Sequence, residues 1–162
     1  MKSTLSMRLG AAAITCALLG AAMPAAAQDP SLRPNFGSVN LSAGFTPDPY
    51  VVRITAGGDR NANDATSLGG ECVGMITEAP DFRVNYDAQQ GLALTFRVSS
   101  NEDTTLVVNG PDGRWFCGDD LEGSLNPGVI YRTPLSGVYD IWVGTYGETP
   151  APAQIRITEM EN

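Results

Sequence analysis

Carboxylates dominate the residues of this chain that could do chemistry. The densest polar cluster runs from Asn101 to Asn126 and holds Glu102, Asp103, Asn109, Asp112, Asp119, Asp120 and Glu122. Carboxylates drawn together repel one another unless a cation or an arginine neutralises them. An oxygen-rich set of this kind suits calcium, which takes about six to eight oxygen ligands. In a hairpin-rich fold, Asp103 and the 119–122 loop come to one end. The competing reading is a solvated acidic loop that binds nothing. A second stretch, Asp59-Arg60-Asn61-Ala62-Asn63-Asp64, opens like an EF-hand loop. It then fails: Asp64 stands where the turn glycine belongs, and Gly70 occupies the twelfth position with Glu71 one residue late. It reads as a surface loop.

Composition argues against catalysis. The chain has 162 residues and no His. That excludes Ser-His-Asp and Cys-His nucleophile systems and an imidazole proton shuttle. It also removes the usual zinc ligand set. A carboxylate-dependent hydrolase stays as an alternative. However, Asp119 and Asp120 are adjacent, so on a strand they would point to opposite faces. Glycosidase carboxyls stand about 5 to 9 Å apart across a cleft. A net charge of −8 opposes binding to nucleic acid or anionic membrane through a basic surface.

Residues 1–27 read as a secretory signal peptide. Lys2 and Arg8 are followed by a small apolar run from Gly10 to Met23, then by Pro24-Ala25-Ala26-Ala27. A run of about 14 residues is short of the roughly 20 that span a bilayer. Cleavage after Ala27 leaves 135 residues with 8 Arg, no Lys and 18 carboxylates, for a net charge of −10. A lysine base for serine chemistry is thereby lost. The cysteines fall from 3 to the pair Cys72 and Cys117. An even pair in an exported chain reads as a disulfide. Free redox thiols are the alternative, but Cys-x-x-Cys spacing is absent.

The remaining chain reads as one domain over 36–162, preceded by a polar linker at 28–35 with two prolines. Short alternating segments recur between Gly, Pro, Asn and Asp. Leu92, Leu94, Phe96 and Val98 share one parity, with Thr95 and Arg97 facing outward. Thr104–Asn109 suits an interior strand, and the Pro-Asp-Gly turn at 111–113 makes 104–117 a hairpin. Such spacing indicates an antiparallel sandwich or barrel. Gly37-x-Val39-x-Leu41-x-x-Gly44 is echoed by Gly137-x-Tyr139-x-Ile141-x-x-Gly144, and each copy leads to an Arg-Ile-Thr. A real echo would place the two hairpins in related positions. Trp142 has the opposite parity to Tyr139 and Ile141. With Tyr146 it is a candidate for an exposed aromatic strip that binds glycan or peptide. The other reading puts Trp142 in the core and Tyr139 in a corner role after Gly137.

Several of these motifs together carry a family resemblance. Asp103-Thr-Thr-Leu-Val-Val-Asn109-Gly-Pro-Asp-Gly113 is followed by Trp115-x-Cys117-x-Asp119-Asp120, Asn126-Pro127 and Ser136-Gly-Val-Tyr-Asp-Ile-Trp-Val-Gly144. Upstream stand Leu41-x-x-Gly44-Phe45-x-Pro47-Asp48-Pro49, Ala56-Gly57-Gly58, Cys72-x-Gly74-x-Ile76 and Ala79-Pro80-Asp81-Phe82. The pattern resembles the pre-peptidase C-terminal-like (PPC-like) domains of exported bacterial proteins. It is closest to small free-standing members sometimes labelled as serine-peptidase-related. The resemblance implies a jelly-roll-like β-sandwich, non-catalytic, with calcium or matrix polymers as ligands. Asp103, Asp119 and Asp120 are the positions that carry over as metal ligands. The group often has an Asp after the second Cys, where this chain has Gly118. The expectation is therefore a periplasmic or secreted binding or accessory protein, acting on an extracytoplasmic protein or glycan. The alternatives are the hydrolase above and an envelope inhibitor of hydrolases.

Overall fold

A computed structural model describes residues 28–160, apart from positions 70 and 90. The expected leader over 1–27 lies outside the described residues. Strands dominate, as the short alternating segments predict. One sheet contains β1 (Ser38–Ser42), β5 (Phe82–Asp87), β10 (Gly137–Thr145), β7 (Thr104–Asn109) and β8 (Trp115–Gly118), in that order. Two short strands, β4 (Met75–Ile76) and β3 (Arg60–Asn61), hang from the end of β10. The second sheet is β2 (Tyr50–Ala56), β11 (Ala151–Thr158), β6 (Leu94–Ser100) and β9 (Gly128–Tyr131).

The strand orders β5-β10-β7-β8 and β2-β11-β6-β9 are those of a jelly roll, in which two Greek keys are laid across two sheets. Every pair in these two runs is antiparallel. The added edge strand β1 departs from this, because it pairs parallel to β5. The echoed segments β1 and β10 flank β5 on its two sides, and Val39 and Tyr139 both meet Val84. Their second strands, β2 and β11, pair with each other. Neither copy is a hairpin, since β1 and β10 lie in one sheet and β2 and β11 in the other, but the two strand pairs occupy related positions.

Alternation builds the core. On β5, Phe82, Val84 and Tyr86 point inward while Arg83, Asn85 and Asp87 are partly exposed. They meet Tyr139, Ile141 and Val143 of β10, Leu106 and Val108 of β7, and Phe96, Ile155 and Ile157 of the other sheet. The Tyr139 hydroxyl donates to the Leu135 carbonyl at 2.8 Å and accepts from the Leu135 N–H at 3.0 Å, which is the corner role its position suggests. Leu92 lies outside β6 and is 39% exposed. Thr95 points outward but is buried between its ladder neighbours Ile130 and Thr158.

β7 and β10 are buried on both faces because a second apolar cluster covers their outer side. Residues 59–77 fold over that face and bring Ala62, Ala65, Leu68, Cys72 and Ile76 onto Val107 and Trp142. Close approach is required. A β-carbon on Gly58 would stand 2.1 Å from the Ile76 carbonyl carbon, so only glycine fits there. This corrects the assignment of Trp142 to a binding strip. Its parity does put it on the outer face, but it is fully buried, and its indole N–H donates to the Glu78 carbonyl at 3.3 Å.

The segment 28–35 carries no strand, yet it is fastened to the domain. Asp29 N–H donates to Glu78 O at 2.9 Å and Asn35 N–H to Pro80 O at 2.8 Å. The Arg83 guanidinium pairs with Asp140 at 2.6 Å and donates to the Pro30 and Leu32 carbonyls.

Candidate metal centre

Three loops meet at the end of the sandwich where β6 passes into β7. Asn126, in the β8–β9 loop, holds that turn. Its Oδ1 accepts from Ser100 N–H at 2.8 Å and from the Thr104 hydroxyl at 3.2 Å, and its Nδ2 donates to Ser100 O at 3.1 Å. Thr104 N–H in turn donates to Leu125 O. The β8–β9 loop closes on itself through Leu121 N–H to Asn126 O and Ser124 N–H to Leu121 O, both 3.1 Å. Asp103 accepts at its backbone carbonyl from Tyr146 N–H at 3.1 Å, which ties in the β10–β11 connection.

This scaffold brings Asp103, Asp119 and Asp120 together. One carboxylate oxygen from each lies within 4.8 Å of the other two. Asp119 and Asp120 are exposed, whereas Asp103 is half-buried. Asp103 Oδ1 is shielded from solvent and has no hydrogen-bond partner among the described residues. The Asp119 pKa is raised above the ordinary carboxylate value, first by desolvation, then by the charges of Asp120 and Asp103. A cation placed among the three would remove that repulsion. Three carboxylates supply between three and six of the roughly six to eight oxygens calcium takes, leaving the rest to carbonyls and water.

The structure resolves the adjacency problem of Asp119 and Asp120. β8 ends at Gly118, so the two aspartates sit in a loop where strand alternation no longer applies. Gly118 itself is fixed by packing. A β-carbon there would lie 2.6 Å from the Gly128 carbonyl oxygen, so an aspartate does not fit this backbone. One oxygen from each of the three carboxylates within 4.8 Å of the others is a spacing that a single cation can bridge.

Other expected positions fall as follows. Cys72 and Cys117 form a disulfide, with Cα atoms 5.3 Å apart. Tyr146 is 63% exposed, beside Asp103 in the hydrogen-bonded frame. Asp112 lies at the opposite end of the β7–β8 hairpin and takes no part in the triad. The 59–64 stretch forms β3 and a 3-10 turn, Ala62–Asp64, capped by Asn61 Oδ1 accepting from Asn63 N–H at 3.0 Å. Sequence reasoning placed Asn126 in the polar cluster but missed its part as the clamp. Its one local signal is the Asn-Pro step that starts the return to β9.

No family model matches the chain, and no curated protein matches it. Among solved structures it is similar to PliG of Aeromonas hydrophila, a periplasmic lysozyme inhibitor of g-type lysozyme. The identity is 12%, over 75% of this chain and 96% of that one, with a TM-score of 0.38. A likeness of that degree carries no functional argument.

Proposed function

We propose that this chain is an exported, non-catalytic binding or accessory protein that uses calcium to order one end of a jelly roll. The observation that carries the reading is the gathering of Asp103, Asp119 and Asp120 within 4.8 Å, one of them with a shielded, unpartnered oxygen. Calcium held there would lock the β8–β9 loop against the β6–β7 turn. It would also fix the neighbouring Tyr146 as part of a contact surface for an extracytoplasmic protein or glycan. The jelly-roll strand order supports the PPC-like resemblance. The signal-like leader supports a periplasmic or secreted address. Among the described residues, no helix is long and apolar enough to cross a membrane.

Calorimetric titration with calcium, paired with thermal melting, tests the reading. Extracellular-type sites bind at about 0.1 to 1 mM. At ten times the Kd, calcium adds about 1.4 kcal/mol of stability, which raises the melting temperature by roughly 5 °C for a domain of this size. The double variant Asp119→Asn with Asp120→Asn should lose both the heat and the shift. Its calcium-free melting temperature should not fall, because the substitutions remove a repulsion. Absence of heat and of any shift at 10-millimolar-scale calcium, roughly ten Kd, would remove the metal from the account.

A further inference from the structure

At the far end of the β7–β8 hairpin lies a cleft of about 240 Å³. Its lining combines Asp112 and Arg114 from the turn, Phe116 from β8, Tyr131 from β9, Leu135 from the β9–β10 connection and Tyr139 from β10. The aromatic rings form one packed wall. Phe116 and Tyr131 meet edge-on with centroids 5.0 Å apart, as do Tyr131 and Tyr139. Phe116 is 39% and Leu135 50% exposed. Apolar surface is thus left open beside a charged pair, Arg114 Nε to Asp112 Oδ2 at 3.4 Å.

The polar groups of this wall are unequally satisfied. The Tyr139 hydroxyl is fully engaged with Leu135. The Tyr131 hydroxyl is shielded from solvent and has no partner among the described residues. A buried unpaired hydroxyl is costly, and native proteins retain few. Gly110 marks the space it borders. A β-carbon there would lie 3.7 Å from Tyr131 Oη and 3.3 Å from Asp112 Oδ1. Arg114 beside it is mostly exposed, so its guanidinium is accessible to a ligand in the cleft.

We infer that this cleft binds one ring of a neutral glycan. A pyranose has an apolar face to lay against Phe116 and Tyr131, and adjacent hydroxyls that both donate and accept. They can donate to the Asp112 carboxylate, accept from the Arg114 guanidinium and pair with Tyr131 Oη. A purely apolar ligand would desolvate Asp112 and Arg114 and leave Tyr131 unpaired, which opposes its binding. An anionic sugar would approach a chain with 18 carboxylates against 10 basic residues. The volume is below the roughly 300 to 1,000 Å³ of sites for drug-sized ligands, so it holds a single ring. The inference rests on the binding reading above but not on calcium. Six residues of β7, about 20 Å, separate the cleft from Asp103.

NMR titration of the labelled protein in a calcium-chelating buffer tests it. The probes are cellotetraose, maltotetraose and tetra-N-acetylchitotetraose, with tetragalacturonate as the anionic control. At least one neutral probe should give saturable shifts confined to residues 110–116 and 131–135. Tyr131→Phe should weaken that binding about tenfold, the size of one hydrogen bond to a buried group. The same variant should melt at an unchanged or higher temperature, since it removes an unpaired hydroxyl. Phe116→Ala should abolish binding while the fold persists, because that ring is part-exposed. The inference is overturned if no neutral probe saturates, or if tetragalacturonate binds as tightly. Full affinity in both variants would also overturn it, as would a lowered melting temperature in Tyr131→Phe. Failure here with calcium binding intact leaves the metal reading standing, and the reverse holds equally.

Discussion

Replacing Cys72 and Cys117 together by serine should lower folding stability by about 4 kcal/mol, the chain-entropy value for a loop of this length, given a sequence separation of 45. For a domain of this size that is a drop in melting temperature of roughly 15 °C. The loss should begin locally. Trp142 faces Val107, and Val107 faces Cys117, in one row across β10, β7 and β8. The disulfide fastens residues 59–77 over that row, and beyond apolar packing this covering segment has little strand pairing with the sheet among the described residues. Its own strands, β3 and β4, are two residues each, and β4 meets β10 at the single pair Thr145 and Met75. Trp115 and Trp142 pack with centroids 5.3 Å apart beside the bridge. Tryptophan fluorescence should therefore report uncovering of this cluster at lower urea than circular dichroism reports loss of the sheets. Coincident transitions at an unchanged midpoint would show that packing alone holds the cover in place.

The cover is also where sequence and structure part company. Alternation located β1, β6 and β10, because side chains of a strand write a period of two into the chain, and a β-branched apolar run located β7; the equally regular Phe82, Val84 and Tyr86 of β5 were not read as a strand. The cysteine pair and the carboxylate gathering were legible for related reasons. An even cysteine count in an exported chain points to a bridge, and a hairpin over 104–117 must bring residues 103 and 119 to one end. Residues 59–77 show no such period. Their buried positions Ala62, Ala65, Leu68, Cys72 and Ile76 are small or widely spaced, and they are held by close backbone approach at Gly58. The parity of Trp142 was therefore read correctly and its surroundings were not. The parallel pairing of β1 was equally hidden, since parity is the same in either direction. Buried polar groups were invisible as well. Nothing in the residue types of Tyr131 or Asp81 announces that one hydroxyl lacks a partner or that one carboxylate is enclosed.

Asp81 should impose a pH dependence on stability. It sits between the strapped N-terminal segment and β10. Its backbone N–H donates to Ile141 O at 2.7 Å, and Phe36 N–H donates to its carbonyl at 2.8 Å. Its Oδ2 accepts from Val143 N–H at 2.7 Å and its Oδ1 from Asn35 Nδ2 at 3.3 Å. Burial disfavours the charged form and pushes its pKa from 3.8 up to about 7, against the opposing effect of those two hydrogen bonds. The folded chain therefore holds this proton more tightly than the unfolded chain. The Asp81 contribution is whole below about pH 4 and is lost as the pH climbs through about 7. A shift of that size corresponds to about 4 kcal/mol as a ceiling. Asp140 acts in the same direction, because burial raises its pKa although Arg83 opposes the shift. The variant Asp81→Asn isolates the Asp81 part. Its amide oxygen keeps the Val143 bond. Turning over the Asn35 amide lets Asn35 Oδ1 accept from the new NH₂, at the loss of the 3.3 Å contact to Thr77 Oγ1. Urea unfolding from pH 4 to pH 8 should give the variant a flatter profile, near the original chain at the acid end and above it at pH 8. A variant that loses equal stability at both ends would show that the bonds from Val143 and Asn35 offset the cost of enclosing the ionised carboxylate, so that Asp81 imposes no pH dependence.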